Sequence, residues 1–498
     1  MLITNATLLT LDAENRILED QAIYLENGKI TAIGPEKALQ AWYPDAETLD
    51  AGGQYVMPGN VCAHTHFYGA FARGMSIPGP APKDFPEILQ KLWWPLDKAL
   101  DSDAIRLSAQ IMLADAIRNG TTTLLDHHAS PNAIDGSLDV IADAVRQSGL
   151  RAILCYEVTD RDGPERTRAG IEENVRFIEK YAIRNTQYES ATQQISNQQS
   201  PTPPLPHSKI SATFGLHASL TLSDTTLDAC RNAAPEGTGF HIHVAEHEAD
   251  EYDSLEKSGQ RVVDRLHKHG LLGPRTLLAH CVHVDAAEIA LINETDTWVT
   301  HQPRSNMNNG VGAAPVESLL RAGVRVCLGT DGFPHSMWEE TRFAYMLQKA
   351  HHRDPRRMPG NLLFDMLAGN NPALAGSFFP DAPLGILAEG AHADLIFVDY
   401  HPHTPLTPEN LPWHVIFGFH ESMVTTTICG GQVLMHDRKL HTLDEAALAA
   451  EARELAPKVW ARYEKYTEKY TEKYTEKYAE KYTEKYAEKY TEKFAAKV

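Results

Sequence analysis

Two histidines, His64 and His66, stand two positions apart at the end of an apolar run and could bind a metal ion. Residues two apart in a strand point to the same side. Their backbones would lie about 6–7 Å apart, a reasonable spacing for two ligands of one metal. A histidine pair alone is weak evidence, but its position at a strand end, after a Pro-Gly turn, strengthens the prediction.

A second pair, His241 and His243, is followed by Glu246. Either histidine could be a third ligand, and because both face the same side of a strand, the spacing does not choose between them. Glu246 falls at the strand end, where a carboxylate could move protons. The alternative for Glu246 is a solvated loop acid.

Two more apolar runs end in polar groups, His280 with His283 and then Asp331 in the segment LGTDG. An aspartate here can bind a metal and accept a proton from water. The neighbouring glycine lets substrate or backbone approach closely. Four polar strand ends converging on one place are hard to explain as packing, so we expect a metal-dependent hydrolytic site.

Eight strand-like segments alternate with helical patterns such as 103–119 and 138–148, and this count predicts a (β/α)8 barrel of the TIM type. In such barrels the carboxyl ends of the strands carry the chemistry. The eight predicted strands are 55–66, 121–128, 151–158, 211–218, 239–246, 276–282, 297–303 and 325–332.

The chain ends are rich in β patterns, at 2–11 and 22–33 with the Asn27-Gly28 hairpin signal, and at 394–398 and 424–434. We predict that they form one small β-sandwich domain. The predicted division is residues 1–58 and 381–443 for the small domain, 59–380 for the barrel, and 444–498 for a helical or disordered tail.

Two segments look unlike core. Residues 185–208, rich in Gln, Ser and Pro, predict a mobile loop or disordered insertion. The tail repeats EKYT or EKYA from Glu464, and because a four-residue repeat drifts about 40° per repeat around a helix, its tyrosines make no continuous face. We expect the tail to supply no residue to the barrel mouth, and truncation after Arg462 to leave metal content and turnover intact.

The composition restricts the class of function. A formal net charge of -20 disfavours nucleic-acid binding. Six scattered cysteines without a CxxC pair favour a reducing compartment. The first residues lack a signal-peptide pattern and no apolar run is long enough to span a membrane, so we expect a cytoplasmic protein with a small-molecule substrate and leave homo-oligomerisation open.

The order of the motifs PGNVCAHTH, HVAE, AHCVH and LGTDG resembles the amidohydrolase superfamily, in its aminohydrolase branch. That branch includes adenosylhomocysteine-type, guanine and cytosine deaminases and the s-triazine hydrolases. The segments HFYGAFARGM, KLWWPLD and CYEVTDR look most similar to the SsnA-like aminohydrolases. The resemblance covers nearly the whole chain to about residue 443.

The resemblance implies four ligands for one divalent metal: His64, His66, His243 and Asp331. His243 is preferred over His241 because the family ligand precedes a glutamate by three positions, which makes Glu246 the proton shuttle. His280 would hold and polarise the attacking water, and Asp331 would also be the base.

The resemblance also implies that His217 and Asp97 contact substrate, and Trp94 is an aromatic candidate for the pocket beside them, together with Trp93, Phe67, Tyr68 and Trp338. The fourth strand carries no lysine that could bridge two metals, which favours a mononuclear site. We expect Zn²⁺ for a histidine-rich site with an open position, with Fe²⁺ or Mn²⁺ as alternatives.

The implied reaction is deamination of a purine-, pterin- or pyrimidine-like ring by metal-bound hydroxide, with release of ammonia. The first alternative is a chlorohydrolase or N-dealkylating hydrolase on the same fold. The second is a non-catalytic scaffold, which the presence of all four candidate ligands disfavours.

Overall fold

The computed structural model describes residues 1–195 and 209–479, with side-chain surroundings for 1–181 and 209–467. The strands in these ranges are β1 (Leu2–Leu9), β2 (Ile17–Glu26), β3 (Lys29–Pro35), β4 (Thr48–Asp50), β5 (Tyr55–Pro58), β6 (Asn60–Thr65), β7 (Thr121–His128), β8 (Arg151–Tyr156), β9 (Ile210–Ala212), β10 (Phe214–Ala218), β11 (Phe240–Val244), β12 (Leu277–His280), β13 (Trp298–His301), β14 (Val326–Leu328), β15 (Leu395–Val398), β16 (Val424–Cys429), β17 (Gln432–His436) and β18 (Lys439–Leu440).

The helices of the same ranges are α1 (Glu36–Trp42), α2 (Phe85–Ile88), α3 (Trp94–Ala99), α4 (Ser102–Arg118), α5 (Ser137–Ser148), α6 (Pro164–Ile195), α7 (Asp224–Ala233), α8 (Glu248–Ser258), α9 (Val262–Lys268), α10 (Ala286–Glu294), α11 (Pro303–Asn308), α12 (Val316–Arg321), α13 (Met337–His352), α14 (Gly360–Phe364), α15 (Asn371–Gly376), α16 (Leu411–Phe417) and α17 (Glu445–Ala479). Short 3-10 turns lie at Phe67–Ala72, Ser219–Thr221 and Glu421–Met423, and π-helical turns at Leu89–Trp93 and Asp365–Asn370.

Two parallel sheets carry the polar strand ends. One has the order β6-β7-β8-β9 and the other β10-β11-β12-β13-β14. Isolated parallel bridges join Thr65 of β6 to Asp331 after β14, and Val158 after β8 to Leu216 of β10, so the two sheets contact each other at two places. All eight residues of β7 are buried, as expected for a parallel strand covered on both faces. The carboxyl ends of both sheets therefore meet at one place.

The predicted strands agree with the observed ones except at two positions. The predicted strand 55–66 is interrupted at Gly59, whose N–H donates to the Asp394 carbonyl at 3.0 Å, so β5 belongs to a different sheet from β6. The predicted strand 211–218 divides at Thr213, whose N–H donates to Leu154 and whose hydroxyl donates to Gly239. β9 consequently pairs with β8, and β10 pairs with β11.

The two chain ends pair with each other, as predicted, in one nine-stranded sheet of order β18-β17-β16-β15-β5-β1-β2-β3, with β4 beside β1. The joining contact is antiparallel, between β15 and β5. The Asn27-Gly28 turn connects β2 and β3 with positive φ at both residues, 51° and 77°, the conformation of a type I′ hairpin. Val56, Phe397 and Ile428 belong to a separate apolar cluster of this sheet.

One expectation for the two segments outside the barrel is wrong in part. Residues 185–195, expected in a loop, continue helix α6, because this stretch contains no glycine or proline to end it. The rest of the predicted insertion, 196–208, lies outside the described residues. The expected tail is helical to Ala479, and residues 480–498 also lie outside them.

The start of the tail is not independent of the rest. Tyr463 is 1% exposed, and its hydroxyl donates to the Lys91 carbonyl at 2.5 Å. Asn132 donates to the Tyr466 hydroxyl at 2.8 Å. Helix α17 packs along α3, which holds part of the pocket wall described below. No described residue of α17 lines the pocket, but truncation after Arg462 would remove the buried Tyr463 contact to the segment before α3, so the expected retention of metal content and turnover stays a prediction. Among the described residues, no helix has the length and apolarity to cross a membrane.

Candidate metal centre and active site

The four predicted ligands lie together at the carboxyl ends of the parallel strands. The Nε2 atom of His66 lies 3.1 Å from Asp331 Oδ1 and 3.3 Å from His243 Nε2. Potential ligand atoms of His64, His66 and Asp331 lie within 4.8 Å of one another, as do those of His64, His243 and His280. The buried Nε2 atom of His64 has no hydrogen-bond partner. Three imidazoles, one of them with an unpartnered buried nitrogen, and one carboxylate form a ligand set that suits a divalent metal.

Each candidate histidine ligand is oriented through its other nitrogen. His66 Nδ1 lies 2.6 Å from the His127 carbonyl, and His243 Nδ1 lies 2.8 Å from the His217 carbonyl. His64 Nδ1 lies 2.8 Å from Nε2 of His241. In all three cases the Nε2 atom is left for a metal, as in most histidine-rich metal sites.

His241 and His243, which the spacing could not separate, take different positions. His243 lines the pocket, whereas His241 lies deeper, bonded to His64 and stacked on His127 at 4.3 Å between ring centroids. His283 likewise lies outside the cluster and contacts the Val311 carbonyl at 3.0 Å.

Asp331 is held by the backbone of β6. Its N–H donates to the His64 carbonyl at 3.1 Å, and its own φ is 54°. Gly329 makes this approach possible, because a Cβ there would lie 2.8 Å from the backbone of His64. Ser305 donates a hydrogen bond of 2.5 Å to Asp331 Oδ2. Burial opposes ionisation, but the hydrogen bond from His66 together with the charges of His66, His280 and His243 outweighs it and lowers the pKa of Asp331, so the carboxylate form is favoured.

Glu246 and His280 lie on one side of this cluster. Oε2 of Glu246 lies 3.4 Å from His280 Nε2, which is 3.8 Å from Asp331 Oδ2. Burial, with the charge of Asp331, raises the pKa of Glu246 well above its usual value, and Asn309 donates to its Oε1 at 3.3 Å. Burial lowers the pKa of His280, whose Nδ1 lies 2.9 Å from Asn306 Oδ1. Glu246 can therefore hold a proton beside a neutral imidazole.

The three predicted substrate contacts line the same pocket, beside Trp93 and Tyr68: Asp97, His217 and Trp94. Asp97 accepts a hydrogen bond from Arg161 at 2.7 Å, and the Arg161 guanidinium lies 5.0 Å from the centre of the Trp94 ring. The other aromatic candidates, Phe67 and Trp338, are buried in the core and do not line the pocket.

Glu157 is a pocket residue that the sequence reasoning missed. It follows β8, is 2% exposed, and its Oε1 lies 3.3 Å from His66 Nδ1. The signal was present, because Glu157 is a polar residue at a strand end like the predicted ligands.

The comparisons with known proteins agree with this arrangement. Residues 55–434 match the model of the Amidohydrolase family. The chain is 32% identical to a 5'-deoxyadenosine deaminase of Methanosarcina mazei, over 93% of this chain and 99% of the relative. It is 31% identical to a 5-methylthioadenosine/S-adenosylhomocysteine deaminase of Syntrophobacter fumaroxidans, over 92% and 97%.

Solved structures show the same likeness. An adenosine deaminase from Xanthomonas campestris with bound zinc has a TM-score of 0.75 and 25% identity, covering 92% of this chain and 98% of that one. An atrazine chlorohydrolase from Arthrobacter aurescens has a TM-score of 0.71 and 22% identity, covering 92% and 100%. These likenesses imply a TIM-barrel fold of mixed α/β content, and the chain belongs to the amidohydrolase family.

Proposed function

We propose that this protein is a zinc-dependent aminohydrolase that deaminates an amino-substituted heteroaromatic ring, with 6-aminopurine nucleosides as the first substrate class. The observation that carries the proposal is Glu246, a buried carboxyl beside His280 and Asp331 in a pocket with aromatic walls, where burial raises its pKa. The names of the relatives, which are adenosine-type deaminases, support the purine class.

The proposed ligands of one divalent metal are His64, His66, His243 and Asp331. Zinc is proposed because the site offers three imidazole nitrogens and one carboxylate, and because the Xanthomonas campestris relative has bound zinc. Such a metal, when bound, lowers the pKa of water so that a nucleophile forms at neutral pH.

The side chains account for every proton in the reaction. Asp331 takes one proton from the attacking water as its oxygen bonds to the amino-bearing ring carbon. Glu246 gives its proton to the adjacent ring nitrogen, and His280 stabilises the tetrahedral centre through a hydrogen bond. On collapse the carbon–nitrogen bond breaks, the amine leaves as ammonia with the proton from Asp331, and the hydroxyl proton returns to Glu246.

The remaining pocket residues are proposed to hold the substrate. Trp94 offers a flat apolar surface to a ring, and Asp97 and His217 offer polar groups on the same side of the pocket. Burial raises the pKa of Asp97 to about 7 against the opposing charge of Arg161.

The proposed architecture is a closed (β/α)8 barrel over residues 59–380. The bridges from Thr65 to Asp331 and from Val158 to Leu216 support closure of the two parallel sheets. Residues 1–58 and 381–443 are proposed to form one domain of sandwich type, supported by the pairing of β5 with β15. A cytoplasmic location is proposed from the six cysteines, which are free thiols.

The test is ammonia release from a panel of adenosine, 5'-deoxyadenosine, 5'-methylthioadenosine, guanine, cytosine and an aminopterin-type ring. Zinc-loaded protein is expected to release ammonia from at least one amine, and Glu246→Gln, loaded equally, to release it far more slowly. If chloride or alkylamine is released from matched triazines while no amine is deaminated, the chlorohydrolase or N-dealkylating reading replaces this one.

A further inference from the structure

Glu157 is a buried carboxylate that the proposed mechanism does not use. It lies in the pocket wall and is 2% exposed, and its Oε1 accepts no hydrogen bond. Its ion-pair neighbours are three histidines: Nδ1 of His66 at 3.3 Å, Nδ1 of His127 at 3.5 Å, and Nε2 of His217 at 3.8 Å. A ligand atom of His243 also lies within 4.8 Å of a Glu157 oxygen.

Within the described part of the chain, no lysine or arginine nitrogen lies within 4.0 Å of Glu157. Asp97, a carboxylate of the same pocket, differs in this respect because Arg161 binds it at 2.7 Å. Burying a carboxylate without a strong donor is unfavourable. Because Glu157 lines the pocket, a donor on a molecule that enters the pocket would satisfy Oε1.

The position of Glu157 relative to the ligands identifies which part of that molecule it meets. His66 contacts Glu157 through Nδ1 and Asp331 through Nε2, and a Glu157 oxygen lies within 4.8 Å of ligand atoms of His66 and His243, so Glu157 borders the ligand cluster beside His66. Glu246 contacts His280 instead, and Asp331 lies near both histidines. Glu157 and Glu246 therefore lie on different sides of the proposed metal site, Glu157 beside His66 and Glu246 beside His280.

We propose that Glu157 accepts a hydrogen bond from the exocyclic amino group of the substrate and thereby selects amines over oxygen-linked leaving groups. An amidine has two nitrogens on the attacked carbon; Glu246 serves the ring nitrogen and Glu157 the exocyclic one. This inference rests on the proposed deamination. It predicts that the site favours a donor N–H at the leaving position over a methoxy oxygen, which can only accept.

The experiment compares the best amine of the panel with its methoxy counterpart, which for adenosine is 6-methoxypurine riboside. The measured quantity is the ratio of kcat/KM for amine over methoxy compound in wild type and in Glu157→Gln. The glutamine keeps the size, removes the charge and offers an N–H to the methoxy oxygen. The ratio is expected to fall about 10- to 100-fold, the value of a hydrogen bond to a charged group.

Glu173→Gln is the matched control, because Glu173 is also buried, at 3% exposure, but pairs with Arg176 at 2.8 Å outside the pocket. This control is expected to leave the ratio unchanged. Metal content is measured for each variant. If Glu157→Gln does not fold, Glu157→Asp is used instead. Its shorter side chain keeps the charge but places it farther from the amino group, so this variant is also expected to lower the ratio.

The outcomes separate the two proposals. Wild-type ammonia release with an unchanged ratio in both Glu157 variants overturns the role of Glu157 and leaves the deaminase intact. If the wild type releases methanol but no ammonia from any amine, both the deaminase function and the role of Glu157 are overturned. The same holds if the wild type is inactive on every ring of the panel and on the methoxy counterparts.

Discussion

Helix α17 stabilises the pocket wall through Tyr463, and removal of this side chain is the perturbation with the clearest expected magnitude. The phenol is 1% exposed and donates to the carbonyl of Lys91, in the π-helical turn before α3. Trp460 donates to the Phe71 carbonyl at 2.9 Å, and Arg462 to the Ala99 carbonyl at 2.6 Å. One helix thus binds three segments that surround Trp94 and its neighbours in the pocket.

The cost follows from the burial. Tyr463→Phe keeps the ring and loses one hydrogen bond, about 1 kcal/mol. Tyr463→Ala removes a fully buried aromatic side chain, about 3–5 kcal/mol. Because each 1.4 kcal/mol is a factor of ten, the alanine variant should open this contact about 100-fold more often or more. Truncation after Arg462 removes the same side chain, whereas truncation after Thr467 retains it.

The assay is hydrogen exchange of the backbone amides of residues 89–99, together with KM and kcat for the best amine. Tyr463→Ala and the truncation after Arg462 are expected to accelerate exchange and raise KM, while Tyr463→Phe and the truncation after Thr467 stay close to wild type. Unchanged exchange and KM after truncation at Arg462 would refute this reasoning and support the expectation drawn from the repeat alone.

Three further variants test the site and the pH dependence. Glu246→Gln should keep its metal and lose about 10²–10⁴-fold in kcat, measured with metal analysis; metal loss would mean a misassigned ligand set, and unchanged kcat would remove the shuttle. Asp331→Asn should lose metal retention and turnover together, and a metal-replete, active variant would contradict its double role. Burial lowers the pKa of His128 to about 3, so the unfolded chain binds a proton near pH 6.5 that the folded chain excludes. The contribution of His128 to the free energy of unfolding is therefore fully present above pH 6.5. It decreases by about 1.4 kcal/mol per pH unit as the pH falls toward 3. Because His301 and other buried histidines also have lowered pKa values, His128→Asn should reduce the slope in urea unfolding between about pH 5 and 6.5 by up to about 1.4 kcal/mol per unit, and an unchanged slope would be the contrary result.

The sequence could predict the cluster of His64, His66 and Asp331 because strand periodicity and parallel order together bring such residues to one edge. Periodicity could not separate His241 from His243, since the difference is depth along one face of the strand. Glu157 was missed because its position at a strand end was its only signal, and a single acid there has no spacing partner like that of the histidine pairs.

The fold was predictable where the pattern was local. The Asn27-Gly28 hairpin and helices α4 and α5 lie close to their predicted positions. The division at Thr213 depends on two neighbouring strands that compete for one segment, which no local pattern encodes. The packing of Tyr463 depends in the same way on a distant surface, so the repeat could not indicate it.

The measurement that tests the central claim most directly is a zinc titration of metal-stripped protein followed by ammonia release. With one site formed by His64, His66, His243 and Asp331, activity should rise linearly and reach its maximum at about one equivalent of zinc per chain. Full ammonia release from the metal-free protein, or a maximum reached only at about two equivalents, would contradict a mononuclear metal-dependent deaminase.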